Sequence, residues 1–245
     1  DPAAIAKVSG QAGVLATTLL SQMGVTSLEK LQASQQMINM LRAATGIAKA
    51  VAVAEFVREL VGEGRRVVLY GWHRAVYDIW MESFDAVIDH RRIRYAMITG
   101  SETAATKTAN VAAFTAPGSD IGVLIVSLRA GAGMDGLQHV CSTVVFGELD
   151  WSPKVHDQCT TRLDRDGQKE SVQAFFCAAK VGIDPIMVDV CGAKRRQSGP
   201  MMDPDQFFDA ELLEGGAPED LTKRIAESVL AGDLLREREV DDVGA

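Results

Sequence analysis

The chain has 245 residues, a formal net charge of −8, 47% hydrophobic residues and 6% aromatic residues. That size allows one large domain, alone or with helical additions, and a sizeable core, while the acidic balance argues against a uniformly basic nucleic-acid surface. Four scattered cysteines form no CxxC pair and the four histidines add no metal spacing, so reduced, mostly buried thiols of a cytosolic protein and no metal centre are expected.

Residues 1 to about 63 read as helical. Leu28, Leu31, Met37, Met40 and Leu41, then Ile47, Val51, Ala54, Val57 and Leu60, recur at three- and four-residue steps. Gly62 and Gly64 close the last of these helices. No run in the chain approaches the roughly 20 apolar residues of a membrane helix, so no membrane partner is expected. The start, Asp1-Pro2-Ala3-Ala4, lacks the basic region and apolar core of a secretory signal. It also lacks an initiator Met, as an excised or processed fragment would.

The period then changes. Val67 to Tyr70 is a short apolar run that suits a buried strand. Arg74 to about Phe84 reads as a helix, and Tyr95 to Ile98 as a strand ending at Thr99-Gly100. Thr103 to Phe114 is helical, with Ser101 or Thr103 as its cap, and Pro117-Gly118-Ser119 is a turn. Gly122 to Ser127 is the clearest strand, and Thr143 to Phe146 is another. Pro153 opens a helix that carries Arg162 and Arg165, and Val172 to Phe176 is a further strand. From about Asp184 the pattern is mixed, with helices expected over 207–213 and 221–235 and a frayed end over 240–245. Much of the acid lies in this tail. Local basic clusters sit at His90-Arg-Arg-Ile-Arg94 and Lys194-Arg-Arg196, so the charge is asymmetric.

Strands alternating with helices predict an α/β fold with a parallel sheet covered by helices on both faces. The expected organisation is a helical lead-in over 1–63 packing on the lobe, the lobe itself over 64–183, and a helical extension over 184–245. In such folds ligands bind beyond the carboxyl ends of the strands.

Three constellations lie at those ends. Gln158 is followed by Arg162 and Arg165, which fall on one face if helical. Guanidinium forks suit phosphate oxygens, although a solvated face paired with Asp164 and Asp166 fits the same residues. Ser127-Leu-Arg129-Ala-Gly131-Ala-Gly133-Met-Asp135-Gly136 follows the clearest strand, and its amides could hold phosphate or merely connect two elements. Thr99-Gly100-Ser101 could touch a nucleic-acid backbone or be a capped turn. Glu148 and Asp150 read as part of a loop before a helix that Pro153 starts, rather than as a magnesium-binding pair. His73 and His156 read as satisfied histidines rather than bases. No Gly-x-x-x-x-Gly-Lys-Ser/Thr phosphate loop occurs.

In this order the motifs resemble the second RecA-like lobe of superfamily 2 helicases, most closely the Swi/Snf-type translocases, within their annealing-helicase branch and its bacterial or phage relatives. The resemblance runs from about Gly46 to Cys177. The helix from Gly46 to Leu60 looks like the one that precedes the lobe. Val67 to His73 resembles motif IV, Ile98 to Ser101 the following Asp-Gly-Ser turn, and Ser127 to Leu137 motif V. Val144 to Pro153 resembles the strand ending in Trp-Asn-Pro, and Gln158 to Gln168 motif VI. Thr161 replaces the family's glycine before the first arginine, Asp164 replaces its usual histidine, and the glycine register of motif V differs.

The resemblance implies a DNA translocase or helicase motor that uses ATP and Mg2+, bound mainly by a first RecA-like lobe of the same polypeptide. Arg162 and Arg165 would act as catalytic arginine fingers. Gln158, Gly131, Gly133 and Asp135 would meet the nucleotide. Thr99, Gly100, Ser127 and Arg129 would hold the backbone of duplex or forked DNA. The implied location is the cytoplasm, with the nucleoid if the source is bacterial. Alone, the chain would not hydrolyse ATP. A non-catalytic docking module is the alternative, and Trp151-Ser-Pro153 with Gly167-Gln168 argues against an RNA helicase lobe.

Overall fold

A computed structural model describes residues 2–21, 24–88, 92–130, 134–198 and 219–236. The expected helix at 207–213, the fraying at 240–245, Gly131, Gly133 and the His90-Arg91 part of the basic cluster lie outside the described residues. The chain divides into two compact units, one built from 1–49, 151–153 and 178–245, the other from 50–150 and 154–177.

The α/β unit is built on five parallel strands: β1 (Val67–Gly71), β2 (Arg94–Ile98), β3 (Ile121–Ser127), β4 (Thr143–Phe146) and β5 (Gln173–Phe176), in the order β2-β3-β1-β4-β5. β1 is central and all five of its residues are buried, as a doubly covered parallel strand requires. Side chains alternate along it. Tyr70 faces α5 (Pro153–Thr160), where its hydroxyl meets the Cys159 carbonyl at 3.4 Å. Position 71 faces α3 (Arg74–Asp85). The sheet is therefore covered on both faces. On the Tyr70 side an aromatic ladder crosses three strands: Tyr70 stacks on Phe146 and Phe146 on Phe176, with His156 edge-on to both phenylalanines. On the other side Trp80 of α3 lies over Gly71 and Gly147, where a Cβ would strike its ring. α4 (Ala104–Thr115) is capped by Thr103, whose hydroxyl accepts the Thr106 amide at 3.2 Å. Gly64, at φ +86°, turns the chain from helix into β1.

The long α2 (Ser27–Gly62) starts in one unit and ends in the other. Its start is a capping box: the Thr26 amide donates to Glu29 Oε2 at 2.7 Å, and the Glu29 amide donates to Thr26 Oγ1 at 3.3 Å. In the helical unit α1 (Ala3–Leu20) packs against α7 (Glu219–Leu230). α6 (Asp184–Ser198) opens on a buried carboxylate: Asp184 Oδ2 lies 2.6 Å from Lys49 Nζ and accepts the Ala179 amide at 2.8 Å. α7 stops at Leu230, short of the expected 235, and a separate 3-10 turn covers Asp233–Leu235.

Among the described residues one helix, α1, is long and apolar enough by length and composition to cross a membrane, with a mean hydropathy of 1.3 over 18 residues. This corrects the expectation that no such run exists. Lys7, Ser9, Gly10 and Gln11 interrupt the apolar run, while Ala, Val and Leu keep its average high. Ile5, Ala12 and Ala16 form its buried stripe.

Candidate functional site

Two clusters form at the carboxyl ends of the strands. The first joins the arginine turn to the segment after β3. α5 ends at Thr160, so Arg162 and Arg165 stand on the turn beyond it, not on a continuous helical face. Leu163 and Asp164 donate their amides back to the Thr160 carbonyl, and Gly167, at φ +93°, lets the chain leave the turn. Both guanidiniums nevertheless reach the same stretch. Arg162 Nη2 donates to the Ala130 carbonyl at 3.0 Å. Arg165 Nη1 meets Asp135 Oδ1 at 3.0 Å, and its Nε donates to the Thr161 carbonyl at 3.0 Å. The pair thus reaches Ala130 and Asp135, described residues on either side of 131–133.

The two contacts differ in kind. Asp135 is 85% exposed and Arg165 45%, so their ion pair is weak and readily exchanged. Arg162 is half-buried, and its Nε is buried without a hydrogen-bond partner among the described residues. A half-buried guanidinium bonded to a neutral carbonyl keeps its charge available to an anion. Asp164 is exposed and pairs with neither arginine. Gln158 stands exposed on α5.

The second cluster is a cavity of about 490 Å3 at the ends of β1, β2 and β3. Thr99, Gly100 and Ser127 all line it, together with Trp72, Arg74 and Tyr77. Thr99 is buried, and both its amide (2.5 Å) and its hydroxyl (2.8 Å) bond to Glu102. That is the capped-turn geometry left open by the sequence. Arg74 Nη1 donates to Ser101 Oγ at 2.7 Å and ties α3 to this turn. Arg129 lies outside the lining. Its guanidinium sits 5.5 Å from the Trp72 ring centroid and 3.7 Å from Asp150 Oδ2. The α3 contribution was not foreseen. Arg74, Tyr77, Asp78 and Met81 recur at i, i+3, i+4 and i+7, which marks one face of a helix. That stripe could have been read from the sequence.

Buried acids brace the strand ends. Glu148 accepts the amides of Trp72 and His73 at 2.7 and 2.8 Å, and its Oε1 lies 2.6 Å from His73 Nδ1. An ionised carboxylate only accepts, so Nδ1 donates. Burial alone would raise the Glu148 pKa. The hydrogen bond and charge of His73, with the two amides, outweigh it and hold the carboxyl below its ordinary range. Its contribution to stability is therefore complete above the ordinary carboxylate range and is lost as pH falls through the lowered folded value. Glu148→Gln is expected to cost about 1.5–3 kcal/mol at pH 7, with the gap to the parent narrowing as the pH falls below the ordinary carboxylate range. Urea midpoints at pH 7 and pH 3.5 measure this, and an equal gap at both would refute it. Asp150, also buried, donates its amide to His156 Nε2 at 2.9 Å. Burial pushes the Cys141 and Cys159 thiols up to about 11 and about 12. None of the four cysteines forms a disulfide. Among the described residues no group of three or more His, Cys, Asp or Glu side chains could hold a metal ion.

No protein-family model matches the chain. It is 28% identical over 144 residues to a Bos taurus protein, the SWI/SNF-related matrix-associated actin-dependent regulator of chromatin subfamily A-like protein 1. That match covers 58% of the chain and 15% of the relative, so the chain spans a small part of such proteins. Among solved structures, the C-terminal part of the Fun30 ATPase domain superposes with a TM-score of 0.61 at 12% identity, covering 94% of each chain. The Sulfolobus solfataricus SWI2/SNF2 ATPase core domain superposes with a TM-score of 0.62 at 13% identity, covering 90% of this chain and 46% of that one. At such identities the structures speak to the fold, and the sequence match speaks to kinship. The chain carries a RecA-like lobe similar to the C-terminal lobe of Swi/Snf-type ATPases of helicase superfamily 2.

Proposed function

We propose that the chain is the second motor lobe of an ATP-dependent DNA translocase. It would meet a first RecA-like lobe of the same polypeptide and complete its nucleotide site. The observation that carries this reading is Arg162 and Arg165, held together on one turn against the segment after β3 and within reach of polyanion chemistry.

The residues present fit half of an ATP site. They offer two guanidiniums, one with a buried donor lacking a partner, but no phosphate loop with its lysine. ATP, with Mg2+ held mainly by the first lobe, supplies the free energy of phosphoryl transfer. In this chain Arg162 and Arg165 would neutralise the charge that grows on the transferring phosphoryl group. Asp135 would release Arg165 to it, and Gln158, Gly131 and Gly133 would line the nucleotide edge. At the ends of β2 and β3, Gly100, Ser127 and Arg129 would hold backbone phosphates of DNA. Thr99 would serve by fixing the turn through Glu102. Such contacts read no bases, so binding would be sequence-independent and would weaken steeply with salt. Ser127 and Arg129 at one end of the stretch after β3 and Asp135 at the other belong to these two groups of residues, so this stretch would be the link through which nucleotide state reaches DNA.

The test is ATP hydrolysis by the full-length protein with duplex, single-stranded and forked DNA, beside this chain alone. Activity stimulated by DNA in the full-length protein, and none in the chain, is the expected result. A full-length protein inert with every nucleic acid would overturn the motor reading in favour of a docking module disabled at Thr161 and Asp164.

A further inference from the structure

The cavity at the ends of β1–β3 is larger and more apolar than phosphate contacts require. At about 490 Å3 it falls in the range of small-molecule pockets. Met81 and Met97 line it, with the rings of Trp72 and Tyr77. Tyr77 is 5% exposed, and its hydroxyl, although near enough to Ser127 to sense it, makes no well-formed hydrogen bond. A buried phenol without a partner is costly, and here it lines a space that could hold one. The Arg129 guanidinium lies over the Trp72 ring, an arrangement that holds the indole as a flat platform.

We propose that this cavity receives a single unpaired nucleobase of the tracked DNA. The base would stack on Trp72, lie against Met81 and Met97, and take the Tyr77 hydroxyl as a hydrogen-bond partner. This rests on the DNA reading above and deepens it. Gly100 and Ser127, assigned there to backbone phosphates, also line this cavity, so a base turned out from that backbone has the cavity beside it. A planar, partly polar ring fits both the apolar part of the wall, formed by Trp72, Met81 and Met97, and the unpartnered Tyr77 hydroxyl. A phosphate would leave the methionines and rings without purpose. Bases displaced at a fork or gap enter most readily, because a paired base must first be unstacked. Stacking tolerates any base, so the cavity would confer preference for unpaired structure rather than for sequence.

The experiment uses the full-length protein and DNA carrying 2-aminopurine, either unpaired at a fork or within duplex. Binding is expected to change the 2-aminopurine fluorescence strongly only at the unpaired position. Trp72→Ala is expected to reduce the ratio of forked to duplex affinity by roughly 5- to 100-fold. Tyr77→Phe, which keeps the ring, is expected to reduce it less and to retain part of the 2-aminopurine signal. A wild-type protein that hydrolyses ATP with duplex DNA, yet gives the same signal for paired and unpaired probes, overturns the base pocket and leaves the motor reading standing. A ratio unaltered in both variants overturns it too. No DNA-stimulated hydrolysis at all would remove both readings.

Discussion

Arg162→Ala or Arg165→Ala in the full-length protein is expected to lower DNA-stimulated ATP turnover by about 10³- to 10⁵-fold, the range for arginine fingers. Nucleotide affinity should change far less, because a finger acts on charge that grows in the transition state rather than on the bound ground state. The two positions are not equivalent. Arg165 is held by an exposed ion pair to Asp135 and by the Thr161 carbonyl, contacts that cost little to exchange. Arg162 is half-buried, and its Nη2 is fixed on the Ala130 carbonyl. Arg162→Lys keeps a charge but loses the planar fork, so it should recover only part of the lost turnover. Arg162→Ala should also loosen the segment that follows Ala130, and DNA affinity is the readout for that. Melting temperatures near that of the parent exclude misfolding as the cause. Unchanged turnover in either alanine variant would sink the assignment.

What the sequence made legible follows from which interactions are local. The continuous apolar run at 67–70 became the central buried strand, because a doubly covered strand has no polar face to alternate. Thr103 capped α4 as its chemistry requires, and Pro153 opened α5. The Swi/Snf-type order of motifs was carried by the same local residues. The arginine pair was legible as a pair but not as a helical face: the Asp164-Arg-Asp-Gly167 run favours a turn, and three-residue spacing says nothing about that. α6 was missed because its first residue, Asp184, is anchored by Lys49, 135 positions earlier. No window of sequence contains that pair. The cavity was half legible. Thr99-x-x-Glu102 is a local signature of a turn that satisfies itself, and the α3 stripe is periodic. Their meeting place depends on the strand order β2-β3-β1, which only the fold supplies.

Trp80→Ala is expected to be among the costliest single changes to the α/β unit, at about 3–5 kcal/mol. The ring is fully buried. It lies against Gly71 at the end of β1 and Gly147 just after β4, and a Cβ at either position would run into it. The glycines are therefore the complement of the tryptophan, and alanine would leave the space above them unfilled. Volume left empty in a close-packed core is paid for in lost contacts. One detail predicts a milder result for Trp80→Phe. The indole Nε1 is buried without a hydrogen-bond partner, so the smaller ring loses packing but also removes an unsatisfied donor. Urea midpoints of the three proteins measure the order, with the parent most stable and the alanine variant least. An alanine variant within about 1 kcal/mol of the parent would mean that the two strand ends collapse onto each other without the ring. The functional consequence is local. Trp72 and His73 follow Gly71, and Glu148 and Asp150 follow Gly147. The ring thus sets the distance across which Glu148 reaches both amides. In Trp80→Ala the Glu148 contribution should shrink, so adding Glu148→Gln should cost less there than in the parent. Strict additivity of the two changes would show that the ring supports the fold without positioning the site.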